Sequence, residues 1–209
     1  MKKLEVFGAV KLKGQIKISG SKNASLPILA ATLLSDKKIS LTNLPRVKDV
    51  GTMIKLLESM GSKVKLSKNK NSLVIQNNKK IKTEANYNLM STMRAGIIVL
   101  GPLLARFGKA RVSSPGGCNI GFRPIDIHLE AFKKMGVQYK IIDGYINAKA
   151  KNGLIGAKIR FPKISVGATE NLIIAACLAK GQTVLSNCAI EPEIKDLSNF
   201  LCSIGAKIV

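Results

Sequence analysis

The chain has 209 residues, 46% of them hydrophobic, with 34 Lys and Arg against 12 Asp and Glu and a formal net charge of +22. That apolar share supports a buried core in one large or two small domains and excludes a disordered chain. Aromatic residues make up only 4% and tryptophan is absent, so the core must be aliphatic and alanine-rich.

The charge invites a nucleic-acid partner, but the lysines are scattered singly or in pairs and no basic patch is interleaved with aromatics that would stack on bases. The charge therefore reads as a solvated surface with a few basic residues kept for an anionic small molecule, and nucleic acid is not the expected partner. Cys118, Cys177, Cys188 and Cys202 form no CxxC pair and no dense framework, which fits free thiols in a reducing compartment and argues against a metal site. Met1-Lys2-Lys3 is followed by Glu5 and soon by Lys11 and Lys13 rather than by a signal-peptide core. The longest apolar run, Ala95 to Ala105, falls short of the roughly 20 residues of a membrane helix. A cytoplasmic protein without a membrane partner is expected.

In chain order, Asn23 to Leu34 is apolar almost all round, as a buried helix requires. Ile39-Ser40-Leu41 predicts a strand. Val50, Met53, Ile54 and Leu57 fall at i, i+3, i+4 and i+7, an amphipathic helix stopped by Gly61, and Lys63 to Leu66 restarts as strand. The same order then recurs. Thr92 to Leu104 is the second apolar helix, Ala110-Arg111-Val112 the strand, and Ile125, Leu129 and Phe132 the stripe that ends at Gly136. Ala168 to Ala179, Thr183-Val184-Leu185 and the Ile194, Leu197, Leu201 stripe ending at Gly205 form the third set. Met60 to Val64, Met135 to Tyr139 and Ile204 to Ile208 align at intervals of about 70 residues, the mark of an internal repeat.

These patterns predict an α/β fold with pseudo-threefold symmetry, its helix-strand-helix-strand units covering residues 21–90, 91–163 and 164–209 around buried helices. The first two units continue into hairpins, one through Lys68-Asn69-Lys70-Asn71 and one through the turn pair Asp143-Gly144. The third is incomplete: Val209 falls within its expected next strand. An open strand edge is normally covered or paired, so the chain reads as an N-terminal portion of something longer. The alternative is a compact protein with a degenerate third unit.

The candidate reaction site is Pro115-Gly116-Gly117-Cys118-Asn119-Ile120-Gly121-Phe122-Arg123-Pro124. It sets a thiol and a guanidinium just ahead of a predicted helix start. A helix N-terminus and Arg123 both favour thiolate over thiol, which makes Cys118 the foremost of the four cysteines for chemistry. His128, the sole histidine, reads as structural and outside the site. Cys177 and Cys202 read as packing residues, and Cys188 as inert in a short connection.

Ser19 to Leu29, Thr92 to Ala95, Leu100 to Gly108, the Cys118 loop and Ser165 to Thr169 together resemble successive motifs of the UDP-N-acetylglucosamine 1-carboxyvinyltransferase family of enolpyruvyl transferases. The resemblance covers nearly every residue here but only about the first half of a family member. It implies an inside-out α/β barrel of repeats around inward-facing helices, with substrates held between this domain, 21–209, and a missing C-terminal domain. Residues 1–20 would join that other domain. The implied reaction moves the enolpyruvyl group of phosphoenolpyruvate to the 3-hydroxyl of UDP-N-acetylglucosamine with release of phosphate, the first committed step of peptidoglycan synthesis, without a metal or organic cofactor.

By the same resemblance Cys118 is the catalytic proton donor and adduct-forming thiol. Lys22, Asn23 and Arg123 bind phosphoenolpyruvate, the lysine and arginine as counter-charges. Arg94, Arg123, Pro124, Ile125, Asp126, Ile127, Lys163, Ile164, Ser165 and Val166 contact UDP-N-acetylglucosamine. Further catalytic groups, an aspartate base and a phosphate-binding arginine, fall beyond residue 209, so little or no turnover is expected of this chain alone. The alternatives are a transferase similar to 5-enolpyruvylshikimate-3-phosphate synthase, which the Cys118 loop argues against, and a noncatalytic module binding anions, nucleotide sugars or nucleic acid.

Overall fold

The computed structural model describes residues 3–8, 11–113 and 125–209. The first of the buried helices, α1 (Lys22–Ala31), begins at Ser21, whose side chain accepts from the Ala24 N–H at 3.4 Å, an N-cap. Seven of its residues are buried, including Ala24 to Pro27 and Leu29 to Ala31. A 3-10 turn, Thr32–Leu34, closes it. Arg106 then donates to Leu33 O at 2.8 Å and Ser35 O at 3.2 Å, carbonyls that the helix end leaves open, and to Asn78 O at 3.2 Å.

Strand β1 (Lys38–Leu41) pairs antiparallel with β3 (Leu73–Gln76), which also pairs with β2 (Lys63–Leu66), so the order is β1-β3-β2. Between β1 and β2 runs α2 (Lys48–Met60), which buries Val50, Met53, Ile54, Leu56, Leu57 and Met60. Gly61 ends it at φ 108°, a left-handed cap that side chains resist.

The second sheet has the order β4-β5-β7-β6, from β4 (Glu84–Ala85), β5 (Lys109–Ser113), β6 (Gln138–Ile142) and β7 (Tyr145–Lys149). Asp143 and Gly144 both have positive φ, 50° and 73°, as the two-residue hairpin turn demands. A single turn, α3 (Tyr87–Met90), and α5 (Asp126–Lys134) complete this part with the apolar segment between them. That segment is not one helix from Thr92. It runs as a 3-10 helix, Arg94–Val99, and becomes α4 (Leu100–Phe107) only afterwards.

The break has a physical cause. Asn171 inserts its side-chain amide where Gly101 N–H would meet Ile97 O: the Gly101 N–H donates to Asn171 Oδ1 at 2.7 Å, and Asn171 Nδ2 donates to Ile97 O at 3.0 Å. Pro102, with no N–H, removes the neighbouring bond to Ile98 O as well. Asn171 belongs to the third buried helix, α6 (Val166–Ala176), capped by Ser165. After α6 come β9 (Val184–Ser186) and the helix α7 (Pro192–Ser203); β9 pairs parallel with β8 (Lys158–Arg160), a strand ahead of α6 that the sequence pattern does not mark.

Helices α1, α4 and α6 pack on one another or on the 3-10 segment at the centre, with α2, α5 and α7 outside them. Among the described residues the sheets stay separate and none closes into a barrel. The fold is therefore mixed α/β, its middle filled by helices. Residues 204–209, expected to restart as strand, lie in no strand; without a partner's hydrogen bonds a lone strand has little to hold it. Leu4, Val6, Phe7, Leu12, Ile16 and Ile18 are 72–96% exposed on an N-terminal segment that has no secondary structure among its described residues. No helix among the described residues is long and apolar enough to cross a membrane.

Candidate functional site

Several helix starts face one cavity of about 670 Å³. From α1 come Asn23, Leu26 and Pro27, from the 3-10 segment Arg94, Ala95, Ile97 and Ile98, and from the α5 entry Ile125, Ile127 and His128. The α6 entry adds Lys163 to Gly167 and Glu170, and α7 adds Glu193. Pro27 offers no N–H to the Asn23 carbonyl, so an acceptor in the first turn of α1 lacks its usual helical donor. At α6, Ser165 Oγ accepts from the Ala168 N–H at 3.3 Å and its backbone carbonyl from Thr169 N–H at 2.9 Å. Such ends carry partial positive charge, which Arg94 and Lys163 reinforce, so the cavity suits an anion.

Of the residues the sequence singles out, Asn23, Arg94, Ile125, Ile127, Lys163, Ile164, Ser165 and Val166 are brought together on this cavity. Lys22 is not among its lining residues: its Nζ lies 3.1 Å from Asp49 Oδ2 at the start of α2. Asp126 is exposed and borders instead a smaller hollow of about 100 Å³ with Ile159 to Pro162. Cys118, Arg123 and Pro124 lie outside the described residues.

Two titratable groups that sequence reasoning missed also line the cavity. His128 is 6% exposed, and burial pushes its imidazole down to about 4, against a smaller upward pull from Asp126. Glu170 is 4% exposed, and burial, with Glu193 and Glu191 nearby, pushes its carboxyl up to about 8. Both are therefore neutral near pH 7. Signals existed for each. Glu170 is the one acid within a mostly apolar helix, and His128 falls at i+3 from Ile125 on the inward stripe of α5.

Cys177 is half-buried with its thiol pushed up to about 11 by burial, an inert packing residue as expected. No His, Cys, Asp or Glu cluster among the described residues has the make-up of a metal site.

Comparison with known proteins bears on what this cavity holds. A family model described as EPSP synthase (3-phosphoshikimate 1-carboxyvinyltransferase) matches residues 6–209. The chain is 73% identical over 208 residues to the UDP-N-acetylglucosamine 1-carboxyvinyltransferase of Pelagibacter ubique (strain HTCC1062), covering 100% of this chain and 49% of that relative. It is 53% identical over 209 residues to the protein of that name from Sulfurovum sp. (strain NBC37-1), again with 100% and 49% covered. The chain thus spans about half the length of the curated relatives it matches.

Among solved structures, its fold is similar to that of the enolpyruvyl transferase NikO from Streptomyces tendae, with TM-score 0.82 and 18% identity over 97% of this chain and 47% of that one. EPSP synthase from Acinetobacter baumannii follows with TM-score 0.66 and 14% identity over 87% and 42%. At those identities the likeness is one of fold.

Proposed function

The chain belongs to the EPSP synthase (3-phosphoshikimate 1-carboxyvinyltransferase) family, and we propose that it is the N-terminal half of an enolpyruvyl transferase acting on UDP-N-acetylglucosamine. The observation that carries this is the 73% identity, along the whole chain, to a relative of that name. In the proposed reaction the 3-hydroxyl of the sugar loses its proton to a base as its oxygen bonds to C2 of phosphoenolpyruvate, while C3 gains a proton. The C2–O bond to phosphate then breaks as C3 loses a proton, which restores the double bond and releases inorganic phosphate.

In this reading Cys118 donates the proton to C3 and can add covalently to phosphoenolpyruvate. Lys22, Asn23 and Arg123 hold phosphoenolpyruvate. Arg94, Arg123 to Ile127 and Lys163 to Val166 hold the nucleotide sugar. Support comes from the cavity, where eight of these residues, Arg94 and Lys163 among them, meet at helix starts. The proposed role is the first committed step of peptidoglycan synthesis, in the cytoplasm, and so a contribution to cell shape and division.

The remaining groups belong to a C-terminal half, against which residues 1–20 pack. We also read the chain as three repeats, the last incomplete, in an inside-out arrangement. In support, β1-β3-β2 and β5-β7-β6 have the same antiparallel order, and Gly61, Gly136 and Gly205, each just past an amphipathic helix, all have positive φ.

A shikimate 3-phosphate acceptor is the second reading, favoured by the description of the matching family model. Calorimetric titration of the chain with UDP-N-acetylglucosamine and, separately, with shikimate 3-phosphate decides between them. Binding of the nucleotide sugar is expected. Binding of shikimate 3-phosphate alone would overturn the proposal.

A further inference from the structure

His128 has one ring nitrogen accounted for and one not. Asn171 Nδ2 lies 3.1 Å from His128 Nδ1, and both groups are buried. Which of them donates is fixed by the other bonds of Asn171. Its Oδ1 must be the atom that receives the Gly101 N–H, and its Nδ2 must be the atom that faces the Ile97 carbonyl. The amide therefore cannot be flipped, and its second N–H points at Nδ1. Nδ1 is the acceptor, so the proton of the neutral ring sits on Nε2.

The free nitrogen faces the cavity. Asn171 is not among the cavity's lining residues but His128 is, and the Cε1–Nε2 edge lies against Gly167 in the first turn of α6, within 3.6–3.8 Å of where a Cβ there would be. Nε2 has no partner among the described residues. It is not among the fully buried unpartnered atoms, so it opens on the cavity, where a ligand acceptor can reach it, and the first-turn amides of α6 beside it favour an anionic one.

We propose that His128 is a ligand-binding residue, a tautomer-fixed neutral imidazole whose Nε2–H donates to a phosphoryl oxygen of the nucleotide sugar at the head of α6. The ligand class rests on the function proposed above; the tautomer does not. Protonating Nδ1 would set one N–H against another. Asn171 is the positioning residue. From one side chain it splits the 3-10 helix from α4 and orients the ring.

Nitrogen-15 NMR of the histidine ring in the ligand-free 209-residue chain tests the first half without any mutation. At neutral pH, Nδ1 is expected as the unprotonated nitrogen and Nε2 as the protonated one; the reverse tautomer, or an imidazolium, overturns the inference alone. Addition of UDP, and in a separate sample UDP-N-acetylglucosamine, should then move the Nε2–H resonance. Binding seen at other resonances with His128 unmoved also overturns it. If no resonance responds to either nucleotide, the nucleotide-sugar reading falls and the ligand half of the inference falls with it.

Two substitutions separate binding from packing. His128→Gln can present an amide N–H where Nε2 sits and should keep UDP affinity within about threefold, whereas His128→Asn reaches only the Nδ1 position and should weaken it by roughly tenfold or more, the loss of a hydrogen bond to a charged group. A residue that served only to satisfy Asn171 would give the opposite order.

Discussion

Lys22 Nζ lies 3.1 Å from Asp49 Oδ2, so the ammonium at the head of α1 is shared with a carboxylate at the head of α2. The pair is about half exposed, and such pairs contribute roughly 0–1 kcal/mol. Asp49→Asn should therefore shift the urea midpoint only slightly. If Lys22 is the counter-charge for phosphoenolpyruvate, the same change should tighten binding by about fivefold, the effect of one unit charge near 4 Å in a watery surround. Titration of both proteins with phosphoenolpyruvate at fixed salt checks this, and equal affinities would argue against that role for Lys22.

Two glycines in helices should respond in opposite directions to alanine. A Cβ at Gly101 would collide with the side chain and backbone oxygens of Asn171, whereas one at Gly51, within α2, meets nothing within 4 Å. Gly101→Ala is expected to destabilise by about 2–4 kcal/mol, as overpacking and loss of a buried polar network do. Gly51→Ala should stabilise by about 1 kcal/mol, the helix propensity difference. Thermal melts of both proteins measure this, and a harmless Gly101→Ala would mean Asn171 can withdraw from the helix.

The Asn171 insertion also marks where sequence reasoning stops. The α2 stripe, the Gly61 cap and the Asp143-Gly144 turn are legible because each is decided by residues within a few positions of one another. The run from Thr92 reads as a single helix for the same local reason. Its interruption depends on an amide 70 positions after Gly101, which no local period reveals. Likewise Lys163 to Val166 is legible as a helix entry. The neutral state of Glu170 depends on burial and on acids from another helix.

Stability should depend on pH through two cavity residues with opposing slopes. Glu170 has a folded pKa raised from 4.5 to about 8, so its stabilisation is full below 4.5 and is lost as pH rises towards 8. His128 has a folded pKa lowered from 6.5 to about 4, so its stabilisation is full above 6.5 and is lost as pH falls towards 4. Between 4.5 and 6.5 the two slopes, each at most about 1.4 kcal/mol per pH unit, work against each other. Glu170→Gln should leave stability that only rises with pH across that window and is flat above it. Urea denaturation at several pH values gives the slopes, and an unchanged profile in Glu170→Gln would show that the carboxyl titrates normally.

The isolated chain should release no phosphate from phosphoenolpyruvate and UDP-N-acetylglucosamine over many turnovers, because the proposed base and second phosphate-binding arginine lie outside it. A continuous phosphate assay on the purified 209-residue chain is sufficient. Sustained release that disappears in Cys118→Ala would mean that this half carries a complete active site.

Deleting residues 1–20 should leave the melting temperature within about 2 °C of the parent, since Leu4, Val6, Phe7, Leu12, Ile16 and Ile18 contribute almost no buried area. The truncated chain should also stay monodisperse to higher concentration in light scattering. A large loss of stability would mean that the segment packs on the body in solution.

Leu4, Val6, Leu12, Ile16 and Ile18 all occupy even positions, so in an extended backbone they share one face. This greasy ribbon precedes α1, α4 and α6 in the chain, so it leaves the ribosome before they exist to bury anything. Until some surface covers it, it is a docking strip for chaperones and for other nascent chains. The rate at which its cover arrives, rather than the strength of the helical core, would then set how much of this protein a cell recovers in soluble form.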